Sequence, residues 1–260
     1  MAFPCGRARF THAPVSRKPG ALHEAFRQVT VSQSGQGEPI VRTVIFDLDG
    51  TLADTSADLV AAANQCFRAL GEGDLLDPVA DALTAFHGGR AMLRLGFARL
   101  GRADEALVDA QYPVLLSAYE AAIDCETRLY PGAVAAVEAL RADGHRVGVC
   151  TNKPERLADI LLERLGVRAM FHSLVGADTL PVRKPDPAPY RLSVERAGGH
   201  VGRSFLVGDT DTDRRTGRAA GVPVALVTFG PEGAGVARYE PEALMGHFDE
   251  LPALAKRLLG

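Results

Sequence analysis

Two aspartates set two residues apart, Asp47 and Asp49, follow the apolar run Val44-Ile45-Phe46 and precede Gly50-Thr51. The apolar run reads as a buried parallel strand. Residues i and i+2 of a strand share a face, so both carboxylates point to one spot at the strand's end. Like charges so placed repel, and a hard divalent cation such as Mg²⁺, which takes oxygen ligands, offsets the repulsion. A nucleophilic carboxylate, a second carboxylate and a metal are the equipment of phosphoryl transfer.

Three further clusters fall at predicted strand or helix edges. Cys150-Thr151-Asn152-Lys153 follows a strand-like stretch at 145–149, and Arg183-Lys184-Pro185-Asp186-Pro187 precedes a helical pattern. Val207-Gly208-Asp209-Thr210-Asp211-Thr212-Asp213 sets acids after another strand. Together with Asp47-Leu48-Asp49-Gly50-Thr51-Leu52, and in this order, they resemble the four signatures of the haloacid dehalogenase-like hydrolase superfamily. The chain looks most similar to its phosphoglycolate phosphatase group, over residues 41–260.

The resemblance implies a role for each residue. Asp47 is the expected nucleophile, forming an aspartyl-phosphate. Asp49 is the expected general acid and base. The superfamily's dehalogenases lack an acid at this +2 position, so Asp49 argues for phosphoryl transfer. Mg²⁺ is expected on Asp47, on the backbone carbonyl of Asp49 and on Asp209, with Asp213 supporting it. Asp213 is preferred to Asp211 because the family's second acid lies four residues after the first. Thr151 and Asn152 are expected to donate to phosphoryl oxygens. Lys184 is expected to neutralise phosphate charge and help hold Asp47. Gly50 and Thr51 are expected to offer backbone N–H groups as an anion nest. Lys153 reads as a solvated charge at a helix start, and Asp54 as a linker acid or cap.

These residues need a scaffold. Strand patterns at 42–47, 146–151, 173–177, 204–209 and 223–228 alternate with helical patterns at 132–143, 155–165, 187–197 and 213–220. That alternation predicts an α/β fold, a Rossmann-like parallel sheet covered on both faces, with ligands at the carboxyl ends of the strands. Residues 247–251 read as an edge strand before a final helix at 252–259. About 95 residues separate the first two strands, too many for one crossover. Apolar residues at helical spacing recur at 58–70, 89–100 and 104–123. The resemblance makes this stretch, 54–129, a helical cap inserted after the first strand of a core formed by 41–53 and 130–260. Tyr130-Pro131-Gly132 suits a hinge between them.

Composition narrows the class. With 260 residues the chain has room for one α/β domain and an insert. Its net charge of −3 argues against nucleic acid as the main partner. No apolar stretch approaches the roughly 20 residues of a membrane span. The cysteines Cys5, Cys66, Cys125 and Cys150 show no CxxC or zinc-like spacing and read as mostly buried thiols in a reducing cytoplasm. The resemblance also implies a cytoplasmic location. Residues 1–40 lack periodicity apart from about 21–31 and are expected to be a disordered extension, read as a start misassigned upstream of Val41.

The expected function is a Mg²⁺-dependent phosphomonoester hydrolase acting on a small phosphorylated metabolite, first of all 2-phosphoglycolate. Phosphatases of sugar phosphates, nucleotides or pyridoxal phosphate, and a β-phosphoglucomutase-like mutase, use the same core residues. A phosphonate hydrolase would need a cap lysine, and 54–129 contains none. For the substrate's carboxylate, Gly89 and Arg90 are the expected cap contacts, the glycine turn offering N–H groups and Arg90 an ion pair. Monomer and homodimer are both compatible with the sequence.

Overall fold

A computed structural model of the chain describes residues 41–260. The expectations for residues 1–40 and for Cys5 lie outside the described residues. In chain order the elements begin with β1 (Thr43–Phe46), β2 (Ala53–Asp54), α1 (Ser56–Ala69), α2 (Ala82–Phe86), α3 (Gly89–Arg99) and α4 (Glu105–Ala121). They continue with β3 (Arg128–Leu129), α5 (Ala133–Ala142), β4 (Arg146–Cys150), α6 (Glu155–Arg164), β5 (Ser173–Val175) and α7 (Pro187–Arg196). The last are β6 (Ser204–Gly208), α8 (Asp211–Ala220), β7 (Val224–Val227), β8 (Ala243–Met245) and α9 (Leu251–Leu259).

Six strands form one parallel sheet in the order β5-β4-β1-β6-β7-β8. Strand alternation divides its apolar side chains between two faces. Val44, Phe46, Val147, Val149, Phe205 and Val207 belong to one buried cluster, which also takes in Val137 and Leu140 of α5 and Leu254 of α9. Ile45, Cys150, Leu206 and Leu226 belong to the other, with Tyr190 and Val194 of α7. Cys150 is therefore strand packing. Each fully buried large apolar side chain here contributes on the order of 2 kcal/mol.

The register sets the site. Phe46 lies opposite Val149 on one side and Val207 on the other. The next residue of each strand path brings the ends of β1, β4 and β6 level, and the Asp47 N–H donates to the Val207 carbonyl at 2.8 Å. Asp47, Thr151 and Asp209 all emerge at these carboxyl ends.

Helices α1–α4 leave and rejoin the sheet through a two-stranded ribbon. Ala53 pairs with Leu129 and Asp54 with Arg128. Phe67 of α1 meets Phe97 of α3 edge to face at 5.4 Å, a favoured aromatic geometry. Asn64 accepts the N–H groups of Leu75 and Leu76 and donates to the Leu76 carbonyl, organising the loop after α1.

Some boundaries differ from the sequence reading. The edge strand is Ala243–Met245, not 247–251. His247 instead caps the 3₁₀ turn Phe248–Glu250, and Glu250 accepts the His247 N–H in return. That reciprocal capping breaks the extended chain where apolar alternation suggested a strand. Helix α1 starts two residues early because Asp54 accepts the N–H and hydroxyl of Ser56. Helix α8 starts at Asp211 because Thr210 and Asp213 form a capping box. The five-residue α2 is too short for its periodicity to show in sequence.

Candidate active site

Asp47 sits just past β1, with its Oδ1 accepting the Leu48 N–H at 2.7 Å and its Oδ2 3.0 Å from Lys184 Nζ. Lys184 lies in the loop before α7 and also reaches Asp213 Oδ1 at 2.7 Å. One ammonium is thus shared by two carboxylates, in a place where Lys184 and Asp213 side chains are 1% and 0% exposed. Burial opposes the Lys184 charge, but Asp213 and Asp47 outweigh it and hold the amine above its ordinary range. Burial pushes the Asp47 carboxyl up to about 6, with Lys184 pulling it down and Asp213 and Asp49 adding to the rise.

Asp213 does two jobs. Its Oδ2 accepts the Asp209 and Thr210 N–H groups and the Thr210 hydroxyl, fixing the start of α8, while Oδ1 holds Lys184. Gly208 makes that approach possible, since a Cβ there would lie 2.4 Å from the Asp213 Cβ. Both Asp213 oxygens are occupied by protein donors, which fits support rather than direct ligation.

Asp209 is different. Its Oδ1 accepts the Thr51 hydroxyl at 2.9 Å, but its Oδ2 is buried without a hydrogen-bond partner among the described residues. An orphaned buried carboxylate oxygen is costly. Burial raises its pKa well above the ordinary carboxylate value, and Asp213 and Asp47 add to the rise. Asp47, Asp209 and Asp213 each bring a carboxylate oxygen within 4.8 Å of the others. A buried, all-oxygen, negatively charged donor set with an unfilled acceptor fits a hard divalent cation such as Mg²⁺.

Asp49 has different partners. Its Oδ1 accepts the Thr55 hydroxyl and the Lys153 ammonium, each at 2.7 Å. Thr151 is buried after β4; its hydroxyl oxygen accepts the Lys153 N–H at 3.1 Å, so its own proton points elsewhere. The Asn152 amide donates to the Lys184 carbonyl at 3.0 Å, tying the two loops together.

Three readings from sequence change. Lys153 is not a solvated charge: its side chain is 4% exposed, ion-paired to Asp49 and set 4.4 Å from the centre of the Tyr119 ring. The Gly50 and Thr51 N–H groups are not a free nest, because they donate to the carbonyls of Ala53 and Leu48. Arg90 forms an ion pair with Asp109 and stacks on Tyr112 at 4.5 Å, while Gly89 lets α3 lie against Leu115 and Tyr112. Sequence reasoning also missed Thr55 and Tyr119. One signal pointed to Lys153: among 29 lysines and arginines only four are lysines, and two of those are Lys153 and Lys184. A chain that uses Arg for nearly all its cations keeps Lys where a compact point charge fits and a fork does not.

A family model described as haloacid dehalogenase-like hydrolase matches residues 41–221. The chain is 40% identical over 226 residues to a phosphoglycolate phosphatase of Agrobacterium fabrum, covering 85% of this chain and 95% of that one. It is 38% identical over 218 residues to a phosphoglycolate phosphatase of Mesorhizobium japonicum, covering 83% and 96%. Among solved structures, a predicted phosphoglycolate phosphatase from Haemophilus somnus superposes with a TM-score of 0.74 at 23% identity, covering 84% of this chain and 99% of that one.

Proposed function

The chain belongs to the haloacid dehalogenase-like hydrolase family, in its phosphoglycolate phosphatase-like subgroup, and from that premise we propose a Mg²⁺-dependent phosphatase working through an aspartyl-phosphate on Asp47, with 2-phosphoglycolate as substrate. The observation that carries it is the sharing of Lys184 between Asp47 and Asp213, beside the unfilled Asp209 Oδ2.

Asp47 attacks phosphorus in line with the departing ester oxygen, and Lys184 stays beside it to offset phosphoryl charge. Asp47, Asp209 and the Asp49 backbone carbonyl would hold Mg²⁺, with Asp213 fixing their surroundings. When bound, the ion supplies positive charge that lowers carboxylate–phosphate repulsion. Thr151 donates its hydroxyl proton to a phosphoryl oxygen. The Asn152 amide, committed to Lys184, anchors the loop, which leaves its backbone N–H as the phosphate donor. Asp49 protonates the leaving oxygen and then takes a proton from the water that hydrolyses the intermediate. Residues 54–129 act as a cap that excludes water from this chemistry. The cellular setting is the cytoplasm; in keeping with it, no helix among the described residues is long and apolar enough to cross a membrane.

The shared name of the relatives supports phosphoglycolate over other phosphoesters. The test is phosphate release from 2-phosphoglycolate, sugar phosphates, nucleotides and pyridoxal phosphate, with and without Mg²⁺, using Asp47→Asn as the blank. A kcat/KM for phosphoglycolate about tenfold or more above the rest, roughly 1.4 kcal/mol of discrimination, is expected. Release that ignores both Mg²⁺ and the Asp47 substitution would sink the mechanism.

A further inference from the structure

Lys153 is a buried ammonium that none of the steps above uses. We propose that it is the leaving-group subsite: its ammonium binds an anionic group, a carboxylate, on the carbon next to the ester oxygen. The inference rests on the phosphatase reading and deepens it by assigning the residue that selects the substrate.

A lysine ammonium has three N–H groups. Among the described residues, Nζ contacts Asp49 Oδ1 at 2.7 Å and the Tyr119 ring at 4.4 Å. One N–H is left to receive a ligand. Lys184 is arranged in parallel, with two protein carboxylates and one remaining N–H. The two cations flank the aspartate pair, Lys184 on Asp47 and Lys153 on Asp49.

The residue that protonates the leaving oxygen must touch it. Lys153 touches that residue, Asp49, so the leaving group departs beside Lys153. In phosphoglycolate the carboxylate is attached to the carbon that bears the ester oxygen. The substrate thus carries two anionic centres a few bonds apart, and the site holds two ammonium groups in the matching order. A charge-assisted contact in a site this enclosed is stronger than on a surface.

Placing an ammonium at 4% exposure is expensive, and Thr55 also donates to the same Asp49 oxygen. A cation that only oriented Asp49 would duplicate Thr55, whereas one that also meets a substrate anion has a distinct use. Tyr119 comes from α4, so the subsite is built from the sheet domain and the helical insert together. Arg90, the cation expected for this task from sequence, is already paired with Asp109.

The experiment compares 2-phosphoglycolate with its neutral amide, 2-phosphoglycolamide, in the wild type, Lys153→Met and Lys153→Gln. In the wild type, kcat/KM for the carboxylate should exceed that for the amide by about 30-fold or more, about what a lost charged hydrogen bond removes. In both variants the ratio should fall to within a few-fold of one, mainly through KM for the carboxylate. A wild type that prefers the carboxylate while both variants keep the ratio overturns the proposal and leaves Lys153 as a support for Asp49. A wild type that turns over both esters equally also overturns it, needs no folded variant, and leaves the phosphatase reading standing. A wild type that releases phosphate from neither ester overturns that reading as well.

Discussion

Asp58, in the first turn of α1, accepts both the backbone N–H and the hydroxyl of Thr127, at 2.9 and 2.8 Å, across 69 residues of sequence. The same carboxylate accepts the Glu126 N–H at 3.0 Å. Asp58 is buried, and its partners lie just before β3. The departing and returning connections of the helical insert are therefore locked together by one side chain.

Asp58→Ala should lower stability by about 2–3 kcal/mol, since it leaves buried N–H groups without an acceptor. Thermal melts check this. Asp58→Asn keeps one acceptor oxygen and should lose less. Because the linkers set where the insert stands, KM for phosphoglycolate should rise in the alanine variant more than kcat falls.

Lys184→Met should lower kcat by about 10²–10³ in phosphate-release assays, the range for removing one electrostatic stabiliser of a transition state. It also leaves Asp47 and Asp213 facing each other without the cation they share. Expression and melting should suffer too, because breaking a buried charge cluster costs about 3–5 kcal/mol.

Gly50→Ala should weaken Mg²⁺ dependence, raising the half-saturating Mg²⁺ concentration about tenfold or more. Gly50 has φ +79°, and a Cβ there would lie 2.3 Å from Asp209 Oδ2, the unfilled acceptor. Gly144→Ala is the control. It has φ +80° with nothing within 4 Å, so it should carry the same backbone cost of about 1–2 kcal/mol without changing Mg²⁺ response.

The Mg²⁺-induced gain in Tm should be larger at about pH 7.5 than at about pH 5. Burial raises the Asp47 pKa to about 6 in the folded chain, above the value of about 3.9 in an unfolded one. The folded metal-free chain therefore binds more protons in that window, and its stability falls as pH rises from about 4 to about 6. Below about 6 the ion must displace a proton from Asp47; above it, the carboxylate is ready and its repulsion is what the ion relieves. Melts with EDTA or Mg²⁺ at both pH values check the order, and an equal gain at both would count against Asp47 as a ligand.

The sequence alone determined the α/β class and the places of five sheet strands, and it singled out Asp47, Asp49, Thr151, Lys184, Asp209 and Asp213 as the residues to look for at the strand ends. It could do so because these are local matters. A buried strand is a run of apolar residues, and a site residue follows the strand that carries it. Element starts were less legible, as at α1 and α8, because the capping residues Asp54 and Thr210 lie outside the periodic stretch. The tertiary structure alone decided what depends on distance in space. Lys153 looked like a helix-start charge until Asp49, more than a hundred residues earlier, and Tyr119 closed around it. Asp58 does lie in a first helical turn, but only the fold brings Thr127 to it. Arg90 looked available until Asp109 took it. Burial and pairing of a charge depend on everything that packs around it, and no spacing along one segment records that.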